Sequence, residues 1–323
     1  MNVLIIGGAG YIGSVTVQLF LSHGEKVMVL DKLLFGGESL VSVMQDPNFK
    51  FIYGDIRNEN DISFALKDID IVINLAAIVG EPLCAAEPEI AYDTNYKAAC
   101  SIGNMAKKMG IKKYIFISTC SNYGINTDDK PATEDSAVNP LSLYAETKIN
   151  AEKYILGLAS NLFSPTVVRF ATVFGISPRM RFDLLVSEFI KEAFLSRKIT
   201  LYKPEVFRPL IHTRDAAEAL LLLAKTSKKV SGEIFNIGFQ NYRKREIVEK
   251  IVARMPFVKL EYIESAKDKR DYNVSFEKIR RTLGFKAKIS LENGIDETIQ
   301  ALEWGLFRNP SDPRFTNIQS LTK

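Results

Sequence analysis

The chain has 323 residues, of which 46% are hydrophobic, 25% charged and 10% aromatic, a composition typical of a globular protein with about two domains. Its 42 lysines and arginines outnumber its 38 aspartates and glutamates by only four, and so small and scattered an excess predicts no nucleic-acid groove. Three cysteines and two histidines support neither a disulfide framework nor a zinc site, so no metal is expected.

The sequence also gives no sign of a membrane or secretory segment. It contains no apolar run of the roughly 18 residues that a membrane span requires. Residues 1–7 lack the basic region of a secretory signal and reach a glycine after a short apolar run. We therefore expect a cytoplasmic protein with no membrane partner.

The first half of the chain alternates short apolar runs with helical patterns. Hydrophobicity within each run is continuous, which indicates strands that are covered on both faces. The predicted strands are 3–6, 26–30, 50–53, 70–75, 114–118 and 166–170, and the predicted helices are 11–22, 58–67, 88–109 and 142–160. This alternation predicts an α/β fold with a Rossmann-type, doubly wound parallel sheet.

After Gly175 the alternation breaks up, which predicts a smaller, mixed α/β substrate domain. The predicted elements are helices near 181–195, from residue 213, and at 243–253, 276–282 and 291–302, with a strand at 233–238. We therefore place a Rossmann domain at 1–174 and the smaller domain at 175–323, and leave open a return of the chain to the first domain near 211–238. The tail past Arg308 is expected to be loosely held.

A glycine-rich turn directly follows the first predicted strand. Its glycines fit either Gly-x-x-Gly-x-x-Gly from Gly7 or Gly-x-Gly-x-x-Gly from Gly8. Glycines at such a turn let backbone N–H groups approach a diphosphate, and the helix N-terminus adds partial positive charge. The turn therefore predicts a dinucleotide site, with a ligand-free tight turn as the alternative. The predicted contacts are Gly7, Gly10, Tyr11, Ile12 and Gly13.

A carboxylate ends the second predicted strand at the spacing that a dinucleotide site requires. Asp31 lies 18 residues beyond Gly13, close to the ~20 expected for the group that binds the adenosine ribose. A carboxylate there would repel a 2′-phosphate, so NAD is favoured over NADP. Lys32 follows directly and could pair with that phosphate, although no arginine stands near it in the sequence. A turn-forming or capping role is the alternative for Asp31.

A second aspartate follows the third predicted strand. Asp55, within Gly54-Asp55-Ile56, would lie beside the adenine and could accept a hydrogen bond from its amino group. A helix cap is the alternative interpretation of the same residue.

A tyrosine and a lysine stand four residues apart at the start of the 142–160 helix. Among twelve tyrosines, only Tyr144 has a lysine, Lys148, at that spacing, which places both side chains on one helix face. A nearby ammonium makes a phenol a better base. Thr119, or alternatively Ser118, would share the proton of a reacting hydroxyl. The pair predicts a catalytic site, with a surface Tyr–Lys pair as the alternative.

Taken together, these motifs resemble an extended short-chain dehydrogenase/reductase of the NAD-dependent nucleotide-sugar epimerase/dehydratase group. The resemblance runs from residue 1 to about 305. It rests on Gly7 to Gly13, Asp31, Gly54-Asp55-Ile56, Asn74-Leu75-Ala76-Ala77, Asn95, Ser118-Thr119, Tyr123-Gly124, Tyr144-x-x-x-Lys148 and Arg208-Pro-Leu-Ile-His212.

The resemblance implies NAD as cofactor, a nucleotide-diphosphate sugar as substrate, and a homodimer built from the 88–109 and 142–160 helices. It implies cofactor contacts from Asp55, Ile56, Leu75, Ala76, Ala77, Asn95, Ser118, Phe170 and Val173. It also implies that Lys148 binds the nicotinamide ribose. Arg208 would bind the substrate diphosphate, with Arg270 as a second candidate. Arg179 lies in a cluster with Arg181 and Lys203 that suits the same anion.

The sequence departs from the family pattern where related dehydratases have Asp-Glu after the threonine. Here the residues are Cys120 and Ser121, which supply no acidic pair for the loss of water. Ile78 also replaces a residue that is polar in many relatives.

We therefore expect a 4-epimerase or 4-dehydrogenase of a nucleotide sugar rather than a 4,6-dehydratase. A reductase or dehydrogenase of a non-nucleotide substrate, and a non-catalytic NAD sensor, are the alternatives.

Overall fold

The computed structural model describes residues 1–125, 130–263 and 270–317. The strands within these ranges are β1 (Asn2–Ile6), β2 (Lys26–Asp31), β3 (Phe49–Tyr53), β4 (Ile71–Asn74), β5 (Lys113–Thr119), β6 (Ser164–Phe170), β7 (Thr172–Phe174), β8 (Lys198–Tyr202), β9 (Phe207–His212), β10 (Glu233–Ile237), β11 (Gln240–Arg243) and β12 (Lys259–Ile263).

The helices surround these strands. They are α1 (Tyr11–Ser22), α2 (Glu59–Ala65), α3 (Glu81–Ala86), α4 (Pro88–Tyr92), α5 (Ala99–Lys108), α6 (Leu143–Leu156), α7 (Leu185–Ser196), α8 (Thr213–Lys225), α9 (Lys244–Val252), α10 (Glu277–Leu283) and α11 (Leu291–Glu303). A π-helical turn at Asp93–Ala98 joins α4 to α5, so the predicted 88–109 helix consists of three consecutive pieces. None of the described helices is both long and apolar enough to cross a membrane.

Seven strands form one parallel sheet in the order β3-β2-β1-β4-β5-β6-β10. This is the doubly wound Rossmann-type order, and it confirms the predicted fold class. The chain reaches β10 only after leaving this sheet at β6, and β10 then pairs in parallel with β6. Residues from the second half of the chain therefore complete the edge of the large sheet.

Both faces of the large sheet are buried, as the continuous apolar runs predict. Val3 and Ile5 of β1 belong to one apolar cluster, whereas Leu4 and Ile6 belong to the other. Alternate side chains of a strand point to opposite faces, so both faces must be covered by helices. The prediction is wrong for β3, because it lies at the sheet edge and leaves Phe51 and Tyr53 39% and 68% exposed.

The second half of the chain also contains two small sheets. One has the order β11-β9-β7, and the other pairs β12 with β8 in parallel. The cleft between these elements and the large sheet contains the candidate site.

The C-terminal segment is held more firmly than we expected from its sequence. The backbone N–H of Phe182 donates to the carbonyl of Phe315 at 2.8 Å, and the two rings pack edge to face. Asn317 is buried. The expectation of a loose tail is therefore wrong as far as residue 317, and residues 318–323 lie outside the described part.

Candidate active site

One continuous cavity of about 880 Å³ lies at the carboxyl ends of the large sheet's strands. Ligands bind at this edge in open parallel sheets because the loops that follow the strands meet there. Nearly all of the residues predicted from sequence line this cavity: Gly7, Gly10, Tyr11, Ile12, Gly13, Asp31, Lys32, Asp55, Ile56, Leu75, Ala76, Ala77, Ser118, Thr119, Tyr144, Lys148, Phe170, Val173, Arg179, Arg208 and Arg270.

The three glycines predicted to contact the dinucleotide serve different physical purposes. Gly7 has φ +81°, a conformation that favours glycine. A Cβ on Gly13 would lie 2.2 Å from the carbonyl oxygen of Gly7, whereas a Cβ on Gly10 would meet only that oxygen, at 3.2 Å. Glycine at position 10 therefore leaves space in the cavity, and glycine at position 13 lets α1 approach the turn closely.

The start of α1 fits a diphosphate. The helix begins after Gly10 without a hydrogen bond from a capping side chain, so its first N–H groups are available to an anion. The phenol of Tyr11 points away from this role, because it donates to the carbonyl of Gly175 at 2.7 Å in a buried contact. Tyr11 therefore serves the cavity through its backbone.

Asp31 is held in place by backbone donors. Its carboxylate accepts from the N–H of Ala9 at 2.9 Å and of Leu33 at 2.8 Å. Burial nevertheless raises the pKa of Asp31 above its ordinary value, which means that further donors would stabilise the anion. Ribose hydroxyls are such donors, so the carboxylate fits the role predicted for it.

Asp55 is already engaged by two cations. It pairs with Lys32 at 2.9 Å and with Arg57 at 2.6 Å. Although burial opposes the effect, these partners hold the pKa of Asp55 well below its ordinary value. Asp55 does not cap α2, since Asn58 does so. Lys32 is therefore engaged by the Asp55 carboxylate.

Asn95 does not itself line the cavity but bonds to Ile78, which does, and its role at the cofactor stays a prediction. Its amide accepts from the N–H of Ile78 at 2.8 Å and donates to the carbonyl of Ile78 at 2.9 Å. Ile78 packs in an apolar cluster with Leu83 and Cys84. Asn95 thus fixes the backbone that follows Ala76 and Ala77, which do line the cavity.

Tyr144 and Lys148 lie on α6 and both line the cavity. Burial raises the pKa of Tyr144 and lowers the pKa of Lys148 to about 7. The Lys148 ammonium lies 4.2 Å from the centroid of the Phe116 ring. Within the described residues it forms no hydrogen bond or ion pair, so it can interact with a bound ligand.

The segment after β5 contains hydroxyls but no acid. Thr119 and Ser121 line the cavity, and their hydroxyl oxygens lie 2.9 Å apart. Cys120 points away and donates its thiol to the carbonyl of Arg169, and burial raises the pKa of that thiol. Neither residue that replaces the acidic pair of related dehydratases can therefore donate a proton readily.

The sequence analysis did not predict a buried ion pair between α6 and β6. Glu152 of α6 pairs with Arg169 of β6 at 2.7 Å, and both side chains are at most 5% exposed. Glu152 also accepts from Asn122 at 2.8 Å, and its charge favours the protonated form of Lys148. The spacing of four from Tyr144 to Lys148 and from Lys148 to Glu152 was a visible signal.

The other end of the cavity is basic. Arg208 is 3% exposed and donates to the carbonyls of Phe207 and Arg270. Arg181, which also lines the cavity, forms a two-pronged ion pair with Asp183. Lys203, which the sequence analysis grouped with these arginines, does not line the cavity, although the neighbouring Tyr202 does. The described residues contain no cluster of metal-ligating side chains.

Comparison with known proteins gives a coherent result. The model of the NAD dependent epimerase/dehydratase family matches residues 3–238. The chain is 30% identical to a UDP-glucose 4-epimerase of Lactobacillus helveticus, with 94% of this chain and 97% of that protein covered. It is 29% identical to a dTDP-D-glucose 4,6-dehydratase of Mus musculus, with 93% and 88% covered.

A solved structure resembles the whole chain. It is a UDP-glucuronic acid 4-epimerase from Bacillus cereus in complex with UDP-glucuronic acid and NAD, with a TM-score of 0.84 and 25% identity. The alignment covers 94% of this chain and 99% of that one.

Proposed function

Because the chain belongs to the NAD-dependent epimerase/dehydratase family, we propose that it oxidises C4 of a nucleotide-diphosphate sugar, as a 4-epimerase or a 4-dehydrogenase. One observation carries this proposal. A single cavity connects Asp31 and the glycine turn with Tyr144, Lys148 and Thr119, and then with Arg208 and Arg270.

NAD is the cofactor, and when bound it supplies the hydride acceptor for the carbinol carbon. The glycine turn and Asp31 would hold its diphosphate and its adenosine ribose. Lys148 would donate to its nicotinamide ribose, because the ammonium lines the cavity and has no partner among the described residues.

Tyr144 takes the proton of the C4 hydroxyl, and Thr119 hydrogen-bonds the same oxygen. A phenol is protonated at neutral pH and is therefore a poor base. Burial destabilises the phenolate further, because it raises the pKa of Tyr144. A protonated Lys148 on the same helix face offsets this effect by stabilising the phenolate. The neighbouring Ser121 hydroxyl keeps Thr119 oriented.

Loss of water does not follow oxidation in this proposal. A 4,6-dehydratase must remove a proton from C5 and protonate the leaving hydroxyl on C6, which requires a positioned acid and base. Cys120 is turned into the core and Ser121 is a neutral hydroxyl. The 4-keto sugar therefore keeps all its oxygens. Reduction on its other face gives an epimer, whereas release gives net oxidation.

The experiment uses nucleotide sugars that carry deuterium at C4. UDP-glucose, UDP-N-acetylglucosamine, UDP-glucuronic acid, GDP-mannose and dTDP-glucose are incubated with the protein, and mass and label are followed. We expect either label at an inverted C4, which indicates an epimerase, or label transferred to the cofactor, which indicates a dehydrogenase. A product lighter by one water would contradict the reasoning from Cys120 and Ser121.

The same experiment tests the two alternatives. Label that stays at an unchanged C4 in all five nucleotide sugars contradicts the proposal. Turnover of a simple hydroxy compound with NAD would then favour the non-nucleotide dehydrogenase. Binding of NAD without any turnover would favour the sensor.

A further inference from the structure

Two arginines precede α7, and within the described residues only one of them forms an ion pair. Arg181 is neutralised by Asp183, with which it shares two hydrogen bonds of 3.0 and 2.6 Å. Arg179, two residues earlier, is only 6% exposed and has no ion pair within the described residues. A buried cation without a counter-ion is rare in proteins because desolvation disfavours the charge. Among the described residues, Arg179 is thus the member of the two that lacks a carboxylate in direct contact.

The guanidinium of Arg179 is held in place on two sides. Its Cζ lies 4.4 Å from the centroid of the Phe35 ring, in the loop that follows β2. Its Nη2 donates to the carbonyl of Thr316 at 3.3 Å, which belongs to the C-terminal segment. Its Nε is buried and has no hydrogen-bond partner among the residues that the structure describes. The side chain is therefore held in place, but its positive charge has no carboxylate in direct contact among the described residues. It also lines the cavity.

The backbone before Arg179 packs on the first turn of α1. The hydroxyl of Ser177 donates to the carbonyl of Tyr11 at 2.7 Å and lies 3.1 Å from the hydroxyl of Ser14. The N–H of Arg179 donates to the same Ser177 hydroxyl at 3.3 Å. Arg179 is therefore tied to the helix start that is fitted to a diphosphate.

The neighbours of Arg179 assign it to the dinucleotide end of the cavity. Phe35 follows the strand that ends in Asp31, and the charges of Asp31 and Arg179 interact. The charge of Arg181 acts on both Tyr11 and Tyr144. Burial, followed by the Arg181 charge, lowers the pKa of Arg179 to about 10, so the guanidinium would gain from a bound anion.

We propose that Arg179 binds the diphosphate of the dinucleotide cofactor, opposite the N-terminus of α1, and not the diphosphate of the nucleotide sugar. The C-terminal segment contributes by holding the guanidinium through Thr316. This inference rests on the proposed function, because it takes the glycine-turn end of the cavity as the cofactor site.

The test measures the affinities of two ligands for the full-length protein freed of bound nucleotide. NAD and UDP are titrated separately by calorimetry into the wild type and into Arg179→Leu, Arg179→Lys and Arg208→Leu. Arg314→Leu is the matched control, because Arg314 lies in the C-terminal segment with its side chain 69% exposed. Thermal stabilisation by NAD gives a second readout that does not depend on turnover.

We expect Arg179→Leu to weaken NAD binding by about 10- to 100-fold, the effect of losing a charge-assisted hydrogen bond. UDP affinity should change by less than about twofold. Arg208→Leu should weaken UDP and spare NAD, and Arg314→Leu should alter neither. If Arg179→Leu does not fold, Arg179→Lys keeps the charge but loses the planar contact with Phe35, and it should still weaken NAD by about threefold or more.

Two results would overturn the inference. Weakened UDP binding with unchanged NAD binding would place Arg179 in the substrate site. Unchanged affinity for both ligands would give it a structural role only. Failure of the wild type to bind NAD would instead contradict the cofactor site on which the proposed function stands, so the two failures are distinguishable.

Discussion

Burial acts on both members of the proposed catalytic pair, Tyr144 and Lys148. It raises the pKa of Tyr144 and lowers that of Lys148 to about 7, which shifts both groups toward their neutral forms. The nearby Glu152 carboxylate opposes this effect on Lys148. A ligand that binds beside these two groups can therefore change their protonation.

The first prediction at this scale concerns the phenol. Tyr144→Phe should retain NAD binding but lower kcat/KM by about 10²–10⁴-fold, the range for removal of a general base. Tyr154→Phe is the matched control, because Tyr154 lies on the same helix but is 40% exposed. Activity within about threefold of the wild type in Tyr144→Phe would refute the assigned role.

The second prediction concerns the pH dependence of stability. Lys148 has a pKa of about 7 in the folded protein and about 10.4 when unfolded. Between these values the unfolded chain binds more protons at this position. The residue therefore makes the free energy of unfolding rise with pH by up to about 1.4 kcal/mol per pH unit.

Lys148→Met removes this dependence. The stability gain of the variant over the wild type, without ligand, should be largest near pH 6 and should shrink toward pH 10. Urea unfolding at several pH values measures it, with the exposed Lys153→Met as control. A stability gain that does not change with pH would contradict the lowered pKa of Lys148 in the folded protein.

At the scale of the element, α6 carries Tyr144 and Lys148 into the cavity and is tied to the large sheet through Glu152. Tyr144, Lys148 and Glu152 recur at every fourth residue, so they share one side of the helix. Glu152 pairs with Arg169 of β6, and Arg169 also donates to the Tyr123 hydroxyl at 3.0 Å. This buried network fixes the rotation of α6 about its axis, and so the direction in which Tyr144 and Lys148 point.

Breaking that pair should be costly. Glu152→Gln leaves the charge of Arg169 buried without its counter-ion, and we expect the free energy of unfolding to fall by about 3–5 kcal/mol. Glu277→Gln is the control, because its pair with Arg280 is exposed and should contribute less than about 1 kcal/mol. A loss below 1 kcal/mol in Glu152→Gln, measured by denaturant unfolding, would show that the pair does not anchor the helix.

At the scale of the whole molecule, the site is assembled from distant parts of the chain. Asp31 and Tyr144 come from the first half, and Arg179, Arg208 and Arg270 come from the second. The Tyr11 hydroxyl joins the two parts through Gly175. Binding that uses both ends of the cavity should therefore stabilise the fold as a unit.

Association is the last prediction. Ile102 and Ala106 of α5 are buried against the sheet, whereas Met109, directly after α5, remains 43% exposed. With Tyr154 of α6, Met109 leaves an apolar surface that a second copy could cover. Light scattering should give twice the mass of one chain, and the double variant Met109→Glu, Tyr154→Glu should shift it toward the monomer. A monomer mass for the wild type would contradict the expected dimer.

The sequence by itself determined the local features of this protein. Continuous apolar runs indicated strands buried on both faces, and motif spacing singled out Gly7, Gly13, Asp31, Tyr144 and Lys148, which line one cavity. These signals are readable because strand burial, turn conformation and helix periodicity act over a few residues.

The tertiary structure alone decided which side chains meet across long separations. It placed Asn95 behind the cavity wall and left Lys203 outside that wall. It also paired Glu152 with Arg169. It also brought Thr316 to Arg179 and so anchored a segment that looked loose. Ion pairing and desolvation depend on distances between residues far apart in the chain, and no local pattern of residue types encodes those distances.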